Sequence, residues 1–579
     1  MHGSIPRIDD AEDQRLRRRR WVVALLCLAS MAALALAMDH LLERRGWSAA
    51  ALVFMTIYLL SLPWTLLGFW NAVIGFVILR LVRDPVGYTN PALARTPDHG
   101  PIATRTAVCL CVRNEDVAAT FARLGRMIES LAATGWAAGF DFHVLSDTSR
   151  PDVAAAEERL FADCRARFPG IGLHYRRRAD NAGYKAGNLE EFATRCRDLY
   201  EHMIVLDADS VMSGRAMLRL VRAMQANPRL GILQTLVVGT PSESAFTRIF
   251  QFGMRHGMRV QTTGSAWWQG RAGPYWGHNA IIRLRPFADH CKLPGIPGKG
   301  PLHGTILSHD QVEAALMRGA GWDVRVIADE HESWEENPTN LPDFIKRDLR
   351  WCNGNLQYLH LLGMKGLSGM GRFQLLNAIA MYAGAPANLA MLAAGLTMTL
   401  NSGPIDRAAA TLAFTLYAIS LVLGFLPRLL GSLDIALRGE ARRYGGTLRM
   451  ILGAVLDWMF SLLIGPIMMI AQSLFIAGLG LGRRVIWDAP NRADRSIPLR
   501  EALHGLWPQT LFGLGAAFTL ASAAPYMLPW ASPTVVPLLL AVPFAVLTAA
   551  PRFGRALTRA GICAIPEDFD PAYPAAGRR

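Results

Sequence analysis

Hydrophobic positions along this chain change their rhythm twice. From Trp21 to Met38 no residue carries a charge, and eighteen residues at about 1.5 Å of rise just cross ~30 Å of hydrocarbon. A second apolar run, 49–79, follows at once, so the pair predicts a transmembrane hairpin. The segment Ala35-Leu36-Ala37 offers a competing reading of the first run as a cleavable signal peptide. A long polar region, about 80–365, comes next. Apolar runs then resume near 375–400, 408–427, 450–481, 506–527 and 533–550. The run 450–481 is split by Gly465-Pro466. A single crossing there would put two neighbouring basic loops on opposite sides, so it reads as re-entrant, interfacial or a tight double crossing. The expectation is six clear spans, with both termini and the polar region inside.

Within the polar region the period shortens. Residues 106–112, 141–146, 171–175 and 202–206 are short apolar runs, separated by helical patterns such as 117–134 and 151–168. Strands alternating with helices predict a parallel sheet covered on both faces. Ligands bind such sheets beyond the carboxyl ends of the strands. The domain plan is a basic N-terminal arm (1–20), a hairpin (21–80), a cytosolic α/β domain (81–365), transmembrane and interfacial helices (366–550) and a tail (551–579).

Composition sharpens this picture. The 579 residues are 51% hydrophobic and 18% charged, with 60 Lys plus Arg against 46 Asp plus Glu. A formal charge of +14 would ordinarily raise nucleic acid as a partner. Here the basic clusters at 17–20, 438–443, 483–500 and 552–559 flank apolar runs, so they mark a cytoplasmic membrane face and no nucleic-acid partner is expected. Eight dispersed cysteines without a CxxC pair read as reduced thiols rather than disulfides or a zinc site.

The residues directly after the strands carry the candidate chemistry. They are Arg113-Asn114-Glu115, Asp147-Thr148, Arg176-Arg177-Arg178 and Asp207-Ala208-Asp209. An Asp after a strand is often only a turn or a cap, and Asp310 with Glu313 could be a capping box. Three acidic sites at strand ends of one domain are harder to assign to turns alone. The Asp207/Asp209 pair could hold a hard divalent cation that bridges phosphates and stabilises a departing diphosphate. Asp310 could take the proton of an attacking hydroxyl. Lys185 could add positive charge, whereas most of the Arg176–Arg178 run reads as solvated surface. Arg350, beside Trp351, could pair with a diphosphate. The flat faces of Trp267, Trp268, Tyr275 and Trp276 suit sugar rings as well as core packing. Together the parts fit sugar transfer from a nucleoside diphosphate to a hydroxyl.

In order and spacing, Glu115, Asp147, Asp207-Ala208-Asp209, Asp310 and Arg350-Trp351 resemble the signature of processive family-2 glycosyltransferases, which include cellulose, chitin and hyaluronan synthases. Longer strings resemble the family of glucosyltransferases that make osmoregulated periplasmic glucans. These are 145–149, 205–212, 275–283, 307–318 and 347–355, with weaker likeness at 440–446 and 487–492. The resemblance covers roughly residues 20 to 565. It implies a GT-A-like domain, UDP-glucose as donor, Mg²⁺ or Mn²⁺, and a linear β-1,2-glucan made and exported across the bacterial inner membrane. Under it Asp147 binds the uridine part, Asp207 the nucleotide and Asp209 the metal. Asp310 is the general base, and Arg350 and Trp351 meet diphosphate and acceptor. Glu115, Lys185 and Asn188 line the donor pocket. The partners implied are the growing glucan, membrane lipid, acyl carrier protein and periplasmic glucan-processing proteins.

Two features depart from the wider pattern. Arg347 stands where QxxRW has Gln, which favours the periplasmic-glucan branch over cellulose synthase. The segments flanking the membrane regions are short, so no cyclic-di-GMP-binding domain is expected after residue 550. The competing readings are a β-1,4 or β-1,3 polymer synthase, and a transporter with a regulatory domain whose intramembrane carboxylates would be Asp457, Asp39 and Asp434. The stretch Trp487–Arg492 is a candidate lid over the donor site.

Overall fold

The computed structural model describes residues 10–402, 406–483 and 495–570; the candidate lid, Trp487–Arg492, lies outside them. The chain opens with two long helices, α1 (Asp10–Arg45) and α2 (Ala49–Leu81), then two short ones, α3 (Pro85–Thr89) and α4 (Pro91–Ala94). Helix α1 runs unbroken through Ala35-Leu36-Ala37 and packs against α2.

The four expected strands are β1 (Thr106–Val112), β2 (Phe140–Ser146), β3 (Gly172–Arg177) and β4 (His202–Asp207). Between them lie α5 (Val117–Ala132), α6 (Pro151–Arg167) and α7 (Tyr184–Cys196). Period-2 alternation sorts β1 between two cores. Val108, Leu110 and Val112 enter one, and Ala107, Cys109 and Cys111 the other. Then come β5 (Val211–Met212), α8 (Gly214–Ala226), β6 (Leu230–Gly239), α9 (Ala245–Gln269), β7 (Ala280–Arg283) and α10 (Leu284–His290). Helix α11 (Asp310–Gly319), β8 (Asp323–Glu335) and α12 (Leu341–Leu356) complete the domain.

The eight strands form one sheet in the order β3-β2-β1-β4-β7-β6-β8-β5. It is mixed, not wholly parallel as the strand–helix alternation suggested. β7 runs antiparallel to both β4 and β6, with Ala280 opposite Val205. The reversal has a consequence for the site: the loop leading into β7 arrives at the carboxyl end of β4, beside Asp207.

Helices α13 (Gly369–Ser402), α14 (Arg407–Leu437), α15 (Thr447–Gly480) and α16 (Leu499–Ala523) follow, then α17 (Leu528–Leu539), α18 (Ala541–Thr548) and α19 (Pro551–Ala560). Among the described residues five helices are long and apolar enough to cross a membrane: α1, α2, α13, α14 and α15. The bent segment 525–548 makes a sixth if it counts as one span. Against the six expected, the described residues give five, or six with the bent pair, and the membership differs. Helix α16, expected as a span, is not among them.

Helix α15 is continuous through Gly465-Pro466, so a tight double crossing is excluded. Its Gly453 lies against Phe252 of α9, its Gln472 donates to Asp348 of α12 at 2.7 Å, and Leu479 joins the core containing Val312 and Cys352. Helix α15 packs on α9 and α12 of the α/β domain and also on α13 and α17. Pro466 lies inside the helix and costs it one hydrogen bond.

The basic arm before Trp21 also docks on the domain. Asp13 meets Arg271 at 2.7 Å, Glu12 meets Arg325 at 2.7 Å, and Arg19 donates to the Trp267 carbonyl at 3.0 Å. Helices α2 and α9 approach to backbone contact: a Cβ on Gly264 would sit 1.9 Å from the Asn71 carbonyl oxygen.

Candidate active site

The turns after β1 and β2 are tied together. Asn114, in the left-handed region at φ 53°, donates its backbone N–H to Thr148 Oγ1 at 2.9 Å and accepts from the backbone N–H groups of Ser149 and Arg150. Glu115 sits half-buried in this loop. Asp147 is nearly buried and receives a bidentate clasp from Arg178, with Nε 2.7 Å from Oδ1 and Nη2 2.9 Å from Oδ2. The arginine run is therefore not mainly solvated surface. Arg178 is buried, Arg176 bonds Glu191 and Asn188, and Arg177 alone is exposed. Asn188 is 1% exposed and accepts from Arg176, which places it behind the arginines as their partner.

Lys185 is delivered by a reversal in the chain. Gly183 (φ 71°) and Tyr184 (φ 52°) are both left-handed and open α7. The ammonium of Lys185 bonds the Asp207 carboxylate and donates to the Gly277 carbonyl at 2.7 Å. Burial opposes its charge, but Asp207 and Asp310 outweigh burial and hold its pKa above the ordinary lysine value. Asp209 is 7% exposed.

The loop before β7 supplies a residue to which the sequence reading gave no role. His278 Nε2 is 3.3 Å from Glu335 at the end of β8, and its Nδ1 is 3.1 Å from Asn279 Oδ1. Burial lowers its pKa, but Glu335, Asp207 and Asp209 raise it further, and the balance is upward. The string 275–279 was visible in the sequence, but only its aromatics suggested a function; the His–Glu pair needs the sheet to close.

Asp310 is the first residue of α11. Its N-cap is His309, without a side-chain cap bond, and Glu313 bonds the His309 ring at 2.8 Å. The capping-box reading is therefore overturned, and Asp310 sits half-buried at the start of the helix. Gly277 (φ 83°) passes so close that a Cβ there would lie 3.4 Å from the Asp310 Cβ. One glycine thus bonds Lys185 through its carbonyl and lies next to Asp310.

Helix α12 starts at an Asn340 cap, whose side chain accepts from the Asp343 N–H at 3.0 Å. It presents half-buried Arg350 and a Trp351 that is 47% exposed. Arg347 places its guanidinium 4.8 Å from the Trp351 ring centroid, so the residue that replaces Gln braces the tryptophan. Of the four aromatics read as sugar faces, Tyr275 is fully buried and Trp268 is buried with its indole N–H on Asn71 at 2.9 Å. Trp267 lies under Arg19. Trp276 alone lines a cavity without being buried in the core: a space of about 540 Å³ bounded by α2, α9, α13, α14 and the start of α11.

The sequence matches the family models Glycosyl transferase family 2 over residues 107–291 and Glycosyl transferase family group 2 over 202–426. The glucans biosynthesis glucosyltransferase H of Pseudomonas paraeruginosa (strain DSM 24068 / PA7) is 36% identical over 590 residues, covering 95% of this chain and 68% of that one. The protein of the same name from Pseudomonas syringae pv. tomato (strain ATCC BAA-871 / DC3000) is 36% identical over 612 residues, covering 98% and 71%. This chain belongs to the glucans biosynthesis glucosyltransferase H family. It is a family-2 glycosyltransferase with a GT-A-like domain. Among solved structures, the mannosyltransferase PcManGT of Pyrobaculum calidifontis, in complex with GDP-Man and Mn²⁺, is similar at 16% identity and a TM-score of 0.39. It covers 64% of this chain and 98% of that one, a likeness too loose to bear on donor or metal.

In this glycosyltransferase, no group of three His, Cys, Asp or Glu among the described residues could hold a metal unaided. Mg²⁺ commonly takes one or two carboxylates and completes its shell with phosphate oxygens and water. Asp207, the last residue of β4, and Asp209 just after it are carboxylates of the kind such a shell takes.

Proposed function

We propose that this glycosyltransferase transfers glucose from UDP-glucose, with inversion, to a growing β-1,2-linked glucan and passes the product across the bacterial inner membrane. The observation that carries this reading is that the Gly277 carbonyl accepts from Lys185 while Gly277 itself lies next to Asp310, so a cation able to meet a diphosphate and a carboxylate able to act as base would share one site. Asp147 and Glu115 would receive the nucleoside part. Lys185 and Arg350 would meet the diphosphate charge. Asp209 would hold Mg²⁺ or Mn²⁺, which when bound neutralises the departing diphosphate. The Asp310 carboxylate would accept the acceptor hydroxyl proton as that oxygen bonds the sugar's anomeric carbon and the bond to diphosphate breaks.

The cavity supports the export half. It runs from Trp276 and Gln311, beside Asp310, to Asn71, Gln374 and Asn377 on α2 and α13, and among the described residues no Asp, Glu, Lys, Arg or His lines it. Amide and aromatic side chains without fixed charge suit a neutral polyhydroxyl chain. Docking of residues 10–20 on the α/β domain supports a cytoplasmic position for both, given the positive charge of that arm.

The test is product analysis from purified protein in sealed vesicles supplied with labelled UDP-glucose. A β-1,2 product on the side opposite the donor is expected. A β-1,4 or β-1,3 linkage would overturn the product assignment, and polymer retained on the donor side would overturn export.

A further inference from the structure

We propose that Glu567, in the C-terminal segment, is a positioning residue for the donor site, an inference that rests on the reading of that site given above. Residues 563–565 are each 1% exposed, so this part of the chain is built into the molecule and does not trail from it. Asp568 clasps buried Arg248 of α9 at 3.0 and 3.1 Å. Glu567 faces the other way and divides its two oxygens. One takes Arg255 of α9, which also bonds Glu330 on β8; the other accepts the indole N–H of Trp334 at 2.9 Å.

Trp334 lies at the point of β8 where the donor site is assembled. It pairs with Val211, two residues after Asp209, and with Val238 of β6. Its carbonyl accepts from Asn279 Nδ2 at 3.1 Å. The next residue, Glu335, holds His278 beside Asp207 and Asp209. Glu567 therefore fixes the ring of a residue whose backbone fixes both the strand after Asp209 and the loop carrying His278. A strap that only closed the fold would be served by the Arg248–Asp568 clasp; the bond to Trp334 sets the position of the strand end.

The test compares E567A, E567Q, W334F, the E567A/W334F double variant and D568A in the full-length protein. Donor KM, acceptor KM, kcat and thermal stability are measured for each. E567A should raise donor KM about tenfold, the size of one lost buried hydrogen bond, with acceptor KM unchanged. E567Q keeps an oxygen for the indole and should recover most of the loss. W334F should match E567A without adding to it in the double variant, while D568A should lower stability alone. An unchanged donor KM in E567A, or an E567Q no better than E567A, would overturn the proposal. A wild type that does not use UDP-glucose would instead overturn the donor assignment, and the same comparison would then be run with the nucleotide sugar it does use.

Discussion

Lys185 joins the two halves of the site: its ammonium bonds the Asp207 carboxylate at the end of β4 and the Gly277 carbonyl in the loop before β7. One is the acidic strand end and the other the loop that passes next to Asp310. Replacing Lys185 with Met keeps the length and removes the charge. Donor kcat/KM should fall about ten- to hundredfold, the range of a lost charge-assisted bond. Arg at this position should recover only part. Steady-state kinetics with UDP-glucose checks this, and an unaltered kcat/KM would remove Lys185 from the donor site.

Asp209→Ala and Asp310→Asn should each abolish glucose transfer while membrane insertion and thermal stability stay near wild type. The two should differ in ligand binding. Asp209→Ala should lose the Mg²⁺ dependence of UDP binding, whereas Asp310→Asn should bind UDP and metal normally. Full activity in either variant would sink its assigned role.

Asp434 of α14 is 1% exposed and gathers Arg80 from α2, Arg259 from α9 at 2.8 Å and Arg438 at 3.1 Å. The sequence offered this carboxylate as part of a transport path; the fold makes it a junction between the helical bundle and the α/β domain. Asp434→Ala leaves three guanidinium groups without their common counter-charge and should cost about 3–5 kcal/mol. Thermal unfolding in detergent should show the loss, and a variant as stable as wild type would refute the junction.

Acid should destabilise the domain through buried neutral histidines. His202 in β4 is fully buried, and burial pushes its pKa down to about 3; His143 in β2 falls to about 4, again mainly by burial. An unfolded histidine takes a proton below about pH 6.5 and these folded ones do not. Stability is therefore full above that pH and declines as pH falls towards 4 and then 3, by up to about 1.4 kcal/mol per unit for each group. His202→Leu should flatten this limb in melting temperature measured from pH 7 to 4. An acid limb as steep as that of wild type would reject His202 as its source.

Much of this protein was legible along the chain. Local periodicity placed β1 to β4 within a residue or two, because a buried strand needs a short apolar run whatever surrounds it. The acidic strand ends followed, since the carboxyl edge of such a sheet is where ligands bind. The roles of Arg178 and His278 were not legible, because Asp147 and Glu335, which give them those roles, lie 31 and 57 positions away. The run that forms α15 left several readings open for a related reason: its apolar character is the same whether it faces lipid or packs on the domain.

The sequence by itself determined the alternation of membrane-compatible and α/β segments, the family and the identities of the acidic candidates, all of which depend on residue types at short spacing. Only the tertiary structure decided that β7 runs backwards to bring Gly277 between Lys185 and Asp310, that the arm before Trp21 and the segment 563–569 are bound to the domain, and that Tyr275 is core while Trp276 faces a cavity. Those outcomes depend on which distant surfaces meet, and the free energy of such contacts belongs to the closed fold.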